Sequence, residues 1–235
     1  MTEHPLPGGV GISKLCVYDA GGTPHLHLCC TEAYVVTAGS GAVQTLTLKG
    51  GFAQTPLRPG AVVWFTPGTI HRLINSGGLE MVVLMQNSGL PEAGDAVLTL
   101  PAEVVADPAG YAAMVALPDG GAATGDITAA FRRREAALAG FAVLRDALAR
   151  GDDRPLRDFH AAAARLVAPR LEQWRERWAA GALRMAEETG EHLAALADGS
   201  VTHLADAAVY ERNEPLEFQR RGMCGLLETY RIGER

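Results

Sequence analysis

Long apolar runs are missing from this 235-residue chain. Its apolar runs, such as Ala61–Phe65 (AVVWF) and Met81–Met85 (MVVLM), fall far short of the roughly 20 residues that cross a bilayer. No membrane partner is expected. Lysine is nearly absent, with only Lys14 and Lys49, and the 27 acidic residues outnumber the 21 basic ones for a net charge of -6. Phosphate backbones demand basic surface, so nucleic acid is not expected either. Cysteine is sparse, and Cys16, Cys29, Cys30 and Cys224 lack the paired spacing of a zinc knuckle. Adjacent Cys29 and Cys30 read as thiols of a reducing compartment, not as a disulfide framework. The opening MTEHPLPGGVG has neither the basic start nor the apolar stretch of a secretion signal, and a cytoplasmic location is the expectation. What remains is 48% hydrophobic and 20% charged, the profile of a chain able to bury a proper core.

Two periodicities divide the chain. Residues 10 to about 100 read as short strands: Ile12–Tyr18, Leu26–Leu28, Ala33–Thr37, Ala42–Leu48, Ala61–Phe65, Ile70–Asn75 and Met81–Gln86. Glycine, proline and asparagine turns separate them, among them Pro59-Gly60 and Pro67-Gly68 on either side of one strand. Many short strands at near-regular spacing point to a sandwich or barrel. From about Asp107 the period becomes helical. Ile127, Phe131, Leu138, Phe141, Leu144 and Leu148 recur mostly three or four apart behind an N-cap candidate, Asp126. A second helix is expected near Arg154, with Pro155 in its first turn. Pro169 restarts it with Leu171, Trp174 and Trp178 on one face, and helical character fades at ALADGS. HLADAAVY and MCGLLETYRI then return to strand-like composition. The expected units are 1–106, a β-barrel domain; 107–200, a helical segment; and 201–235, terminal strands on the barrel or an interface. The helices carry 12 arginines against 12 acidic residues between Asp126 and Ser200. That balance points to a lid, core element or interface, not to a DNA reader.

The chemistry concentrates in two stretches. In PHLHLCCTEAY, His25 and His27 share one face of a strand, and Glu32, Tyr34 and Val36 share a face of the next. In RPGAVVWFTPGTIHRLINSG, the Pro67-Gly68 turn leads into a strand that puts His71, Leu73 and Asn75 on one side. Imidazoles and a carboxylate inside an apolar barrel are costly when unpaired, and a divalent cation removes that cost by using each as a ligand.

These stretches resemble the two motifs of the cupin superfamily. The first matches H-x-H-x4-E-x6-G with His25, His27, Glu32 and Gly39 in register; the second matches G-x5-P-x-G-x2-H-x3-N with Gly60, Gly68, His71 and Asn75. Two departures stand out: the proline falls one place late, at Pro67, and the upstream glycine lies at Gly21 or Gly22. The resemblance covers residues 10 to about 100. It implies a jelly-roll β-barrel there, so the expectation for the chain is a mainly β fold: a cupin jelly-roll β-barrel, followed by the α-helical C-terminal extension and returning terminal strands that the periodicity above indicates. It further implies one divalent metal ion (Fe, Mn, Ni, Co or Zn) held by His25, His27, Glu32 and His71, and a homodimer through barrel edges.

The reading that follows is a metal-dependent enzyme on a small polar metabolite, of isomerase or epimerase type. The metal acts as a Lewis acid on the substrate's oxygens while a nearby base moves a proton. Wording such as EAYVVTAGSGAV and HRLINSG is closest to the sugar isomerases among cupins. The alternatives are an Fe(II) dioxygenase and a non-catalytic small-molecule or metal-binding protein. Tyr34 is the candidate proton donor; Asn75, Met81, Met85 and Cys29 are candidate substrate contacts. Arg72 alternates with His71 and points away from the metal, so any clamp for an anionic group has to come from elsewhere, such as the C-terminal region.

Overall fold

The computed structural model describes residues 5–117, 121–122 and 127–230. Asp126, the expected helix cap, and His4 lie outside the described residues. The strands are β1 (Gly11–Val17), β2 (His25–His27), β3 (Glu32–Thr47), β4 (Gly51–Leu57), β5 (Val62–Phe65), β6 (Ile70–Met85), β7 (Ala96–Leu98), β8 (Glu217–Arg221) and β9 (Gly225–Thr229). The helices are α1 (Ala102–Val105), α2 (Pro108–Val115), α3 (Thr128–Ala149), α4 (Arg154–Val167), α5 (Leu171–Trp178) and α6 (Arg184–Ala197).

Two long bent strands organise the sheet. β3 and β6 pair antiparallel over nearly their whole lengths, from Glu32 opposite Met85 to Leu46 opposite Ile70, with register shifts between Val36 and Gly41. Each therefore merges two strands expected to be separate. The joints are glycines: Gly39 has φ of 71° and lies against the backbone of Gly77 and Gly78, where a side chain has no room. Such bulges bend a sheet into a jelly roll. The path runs β4-β3-β6-β1-β9-β8, with β2 paired to β6 and β7, and β5 to β3. β4 and β7 were not expected. Pro56 and polar side chains hide the alternation of β4, and the three residues of β7 are too few to show a period.

The terminal strands do return to the sheet, β9 lying antiparallel to β1 from Ser13 opposite Thr229 to Val17 opposite Gly225. HLADAAVY, however, forms no strand: Thr202–Asp206 is a helical turn, and strand begins only at Glu217.

Each face of the sheet is buried against something different. Leu15, Val17, Tyr34, Val36, Val43, Leu73, Met81 and Val83 fill the barrel interior. On the other face Leu26, Leu46, Ile70, Val97 and Leu98 pack with Phe141, Leu144, Leu156, Phe159 and Trp174 of the helices. The helices thus complete a core that the barrel alone leaves open to water. The buried side of α3 is centred on Ala137, Gly140, Phe141 and Leu144, while Leu138 is half-buried and Ile127 exposed. Small residues win this face because α3 lies directly on residues 99–100, with Thr99 Oγ1 donating to Ala137 O at 2.8 Å. On α5 only Trp174 is buried; Leu171 and Trp178 are exposed.

Gly140 tests this close approach, because a Cβ there would overlap Thr99 O and press on Leu100. Gly140→Ala is expected to destabilise by about 1–3 kcal/mol through overpacking. Gly190→Ala on exposed α6, where a Cβ meets nothing, is expected to stabilise by up to about 1 kcal/mol. Urea unfolding of both variants checks the opposite signs; stabilisation by Gly140→Ala would remove the tight contact.

Candidate metal centre

Strand β2 is three residues long and buried on both faces. Alternation sends Leu26 outward into the helical core and turns His25 and His27 into the barrel. His25 pairs in register with His71 on β6, and Glu32 opens β3 beside them. One ligand atom from each of His25, His27, Glu32 and His71 lies within 4.8 Å of the others. Donors about 2.1 Å from a common ion stand about 3–4 Å apart, so the set needs only a small contraction to hold one.

The orientation of the rings is fixed from behind. His25 Nδ1 bonds Thr23 O at 2.8 Å, His71 Nδ1 bonds Thr69 O at 3.1 Å, and His27 Nδ1 bonds Asp95 Oδ2 at 3.0 Å. Each Nδ1 therefore donates, which aims Nε2 of each ring at the shared centre, the arrangement that supports metal-binding imidazoles. Glu32 Oε2 lies 3.0 Å from His71 Nε2 and 3.4 Å from His27 Nε2. Yet Glu32 Oε2 and His71 Nε2 are buried without an aligned hydrogen bond. Buried groups of this kind are rarely left so. The donor set, three nitrogens and one carboxylate oxygen, suits a divalent transition metal or zinc. These four residues can hold a metal ion.

Burial and neighbouring charge set the protonation of the metal-free protein. Burial, reinforced by the other two imidazoles, pulls His25 well below its usual pKa. Burial also opposes charge on His27, but its hydrogen bond to Asp95 and the close Glu32 carboxylate prevail and push it up to about 9. For Glu32 the penalty of burial is outweighed by His71 and His27, which hold its carboxyl well below the usual range.

Asp95 is the site residue that the sequence pattern does not reveal. Fully buried, it accepts from His27 with one oxygen and from the backbone of Leu28 and Cys29 with the other, at 3.0 and 2.7 Å. Its loop, Pro91–Asp95, is gripped by α5 and the turn before it: Trp174 Nε1 donates to Ala93 O at 3.3 Å, and Arg170 Nη1 to Gly94 O at 3.4 Å. The helical segment thus supports the ligands from outside the barrel. No spacing rule links residue 95 to residue 27; only the fold does.

The other expected residues separate. Tyr34 is fully buried beside Phe65, its hydroxyl has no hydrogen-bond partner, and burial together with Glu32 raises its pKa far above the usual value. It stays protonated. Met85 lines a cavity of about 400 Å³ that also reaches His27 and Glu32. Met81 is packed in the barrel core. Asn75 is occupied by backbone, donating to Val17 O and accepting from Gly77 and Leu79. The Cys29 side chain is exposed, and all four cysteines are free. Arg72 turns outward to Gln44 and the Phe141 ring. His203 stacks on His192, ring centroids 4.3 Å apart, away from the four ligands.

The cavity continues beyond the barrel strands. Its walls include Leu15 of β1, Arg133 of α3, the β8–β9 hairpin and the buried thiol of Cys224. Burial raises the pKa of that thiol, with the nearby Glu32 carboxylate adding to it, so it remains neutral.

Residues 8–113 match the profile of the family described as Cupin. No curated protein matches the chain. Similar solved structures include the Streptomyces protein PAC13 with uridine, 15% identical over 34% of this chain and 62% of that one, TM-score 0.29. The Bacillus subtilis oxalate decarboxylase, solved in work on its Mn(II) centres, is 19% identical over 41% and 28%, TM-score 0.34. The WlaRB TDP-quinovose 3,4-ketoisomerase of Campylobacter jejuni is 13% identical over 37% and 67%, TM-score 0.33. The chain spans less than two thirds of PAC13.

The raised pKa of His27 makes metal binding pH-dependent in a definite direction. A group raised from 6.5 to about 9 stabilises the metal-free fold fully below about 6.5, and that stabilisation is lost as pH rises through about 9. Metal must displace this proton, so affinity is expected to climb from pH 7 to about 9 and then level off. Calorimetry in buffers of different ionisation enthalpy reads the proton released; none at pH 7 would contradict it. Compared at about pH 9, Asp95→Asn is expected to weaken metal binding about 10- to 100-fold with the circular dichroism spectrum retained.

Proposed function

Residues 8–113 form a domain of the cupin superfamily, and from that premise we propose that the protein is a metal-dependent enzyme acting on a small polar metabolite by isomerisation or epimerisation. His25, His27, Glu32 and His71 are the ligands in this reading. The bound ion supplies Lewis acidity toward an oxygen-bearing carbon centre. The observation that carries the reading is the pair of buried, unbonded ligand atoms, Glu32 Oε2 and His71 Nε2, in a centre that opens onto a cavity of about 400 Å³. Such a volume falls in the lower part of the range of small-molecule sites, about 300–1,000 Å³.

The chain's own residues divide the remaining tasks. Asp95 keeps the His27 ring oriented, and the carbonyls of Thr23 and Thr69 do the same for His25 and His71. Tyr34, protonated and two residues along β3 from Glu32, is the candidate proton donor at that end. Leu15, Val83 and Met85 make the inner wall apolar, which excludes water from the reacting centre. A carboxylate ligand beside three imidazoles leaves fewer open positions than three imidazoles alone, which favours the isomerase reading over an Fe(II) dioxygenase. Among the described residues no helix is long and apolar enough to cross a membrane. A homodimer through an edge strand belongs to the same reading; β4 and β8 end the sheet path, and a light-scattering mass of one chain would remove it.

His71→Ala is expected to lower bound metal several-fold or more with the fold retained, read by elemental analysis. Unchanged stoichiometric metal would sink the four-ligand set. For the reaction, metal-loaded protein in deuterated water with a panel of hydroxy-carbonyl compounds is expected to place deuterium on carbon, seen by proton NMR, and His71→Ala to abolish it. Oxygen consumption without deuterium incorporation would overturn isomerisation in favour of oxygen chemistry.

A further inference from the structure

Arg133 occupies an unusual position. It projects from α3, outside the family-matched region, and is only 8% exposed. Its Nη1 donates to Val115 O at 3.1 Å and its Nη2 to Gly222 O at 3.2 Å. Its Nε is buried with no partner. Among the described residues no carboxylate pairs with it. A guanidinium cannot shed its proton in a protein, so the charge persists. A buried cation with no counter-charge is costly, and the two carbonyls satisfy donors without neutralising it.

The same side chain lines the cavity that ends at His27 and Glu32. Two carboxylates in the cavity wall are engaged elsewhere. Glu217 pairs with Arg220 at 2.7 Å and accepts from Thr229 Oγ1, and Glu92 accepts from the backbone of Gly89. The cavity is thus asymmetric: the Glu32 carboxylate and the His27 imidazole lie at one end, and the wall holds the uncompensated guanidinium supplied by α3, with Arg220 and Arg221 of β8 also in the lining.

We propose that the cavity binds a small oxyanion, a hydroxy- or oxo-compound whose carboxylate or phosphate pairs with Arg133 while its neutral oxygens face the Glu32 and His27 end. The inference rests on the metal-centre reading for that second end only. Arg133 is then the specificity-determining residue, and the helical segment serves the site directly. Guanidinium forks match carboxylate and phosphate oxygens. The Glu32 carboxylate disfavours a second anion at its own end, and the Arg133 charge favours one at the other, which sets the orientation.

The test is calorimetric titration of the full chain with three probes that share vicinal hydroxyls: glycerate, glycerol 3-phosphate and glycerol. Each is titrated into metal-loaded protein and into protein stripped with chelator, with elemental analysis of every sample. At least one anion is expected to bind at least tenfold more tightly than glycerol, and part of that preference to survive without metal. Arg133→Gln is expected to weaken the anion about 10- to 100-fold, leave glycerol unchanged and leave metal content unchanged. Arg133→Lys is expected to fall between. The better of the two anions identifies the source, carboxylate or phosphate. Equal binding of all three probes, no binding of either anion, or an anion preference that persists in Arg133→Gln would each overturn the proposal. If Arg133→Gln does not fold, the stripped wild type and Arg133→Lys decide it: loss of the preference without metal, or full preference in Arg133→Lys, counts against. An intact anion preference in wild type that takes up no metal would fail the metal reading while Arg133 stands.

Discussion

Four polar groups buried within one small volume set the terms for the rest of this fold. His25, His27 and His71 are each less than a tenth exposed, as is Glu32. Groups of this kind destabilise a barrel unless each has a partner. The backbone of Thr23 and Thr69 and the side chain of Asp95 answer for one nitrogen of each ring. The inner nitrogens and Glu32 have only one another. Their clustering makes sense as a cation site, because a divalent ion converts mutual frustration into coordination.

Holding that cluster in place takes both layers of the molecule. β2 is so short that its own ladder cannot position it, and it is buried on both sides. Leu26 anchors it outward to the helical core while its neighbours point inward. Asp95 ties the end of β2 to the 91–95 loop, and Trp174 and Arg170 tie that loop to α5 and the turn before it. The helices therefore act on the four clustered residues through packing and hydrogen bonds without touching them. The β8–β9 hairpin contributes in a different way, by pairing with β1 and walling the cavity at the same time.

The cluster of His25, His27, Glu32 and His71 was legible in the sequence because its parts are local. His25 and His27 are two apart, Glu32 follows five later, and His71 follows a Pro-Gly turn that orients its strand. Strand alternation needs no knowledge of partners. The glycines that let β3 and β6 bend were visible too, but as breaks between strands. Turn residues and bulge residues are chemically the same, and only the pairing partner tells them apart. α3 was legible as a helix, yet its buried face was misplaced toward Leu138 because hydrophobicity outranks small size in any periodicity count. The surface it meets is backbone, at residues 99–100, and there Ala137 and Gly140 fit where leucine does not.

By itself the sequence determined the residue types, their spacing on strands and the barrel-then-helix order, since these follow from local alternation and turn chemistry. Tertiary structure decided which groups serve the site from a distance. Asp95 lies 68 positions from His27, and Arg133 lies 89 from its carbonyl partner at Gly222. A lone buried aspartate or arginine carries no periodic signature. Its meaning comes from whether folding brings it a partner, and here Asp95 receives one while Arg133 keeps its charge uncompensated.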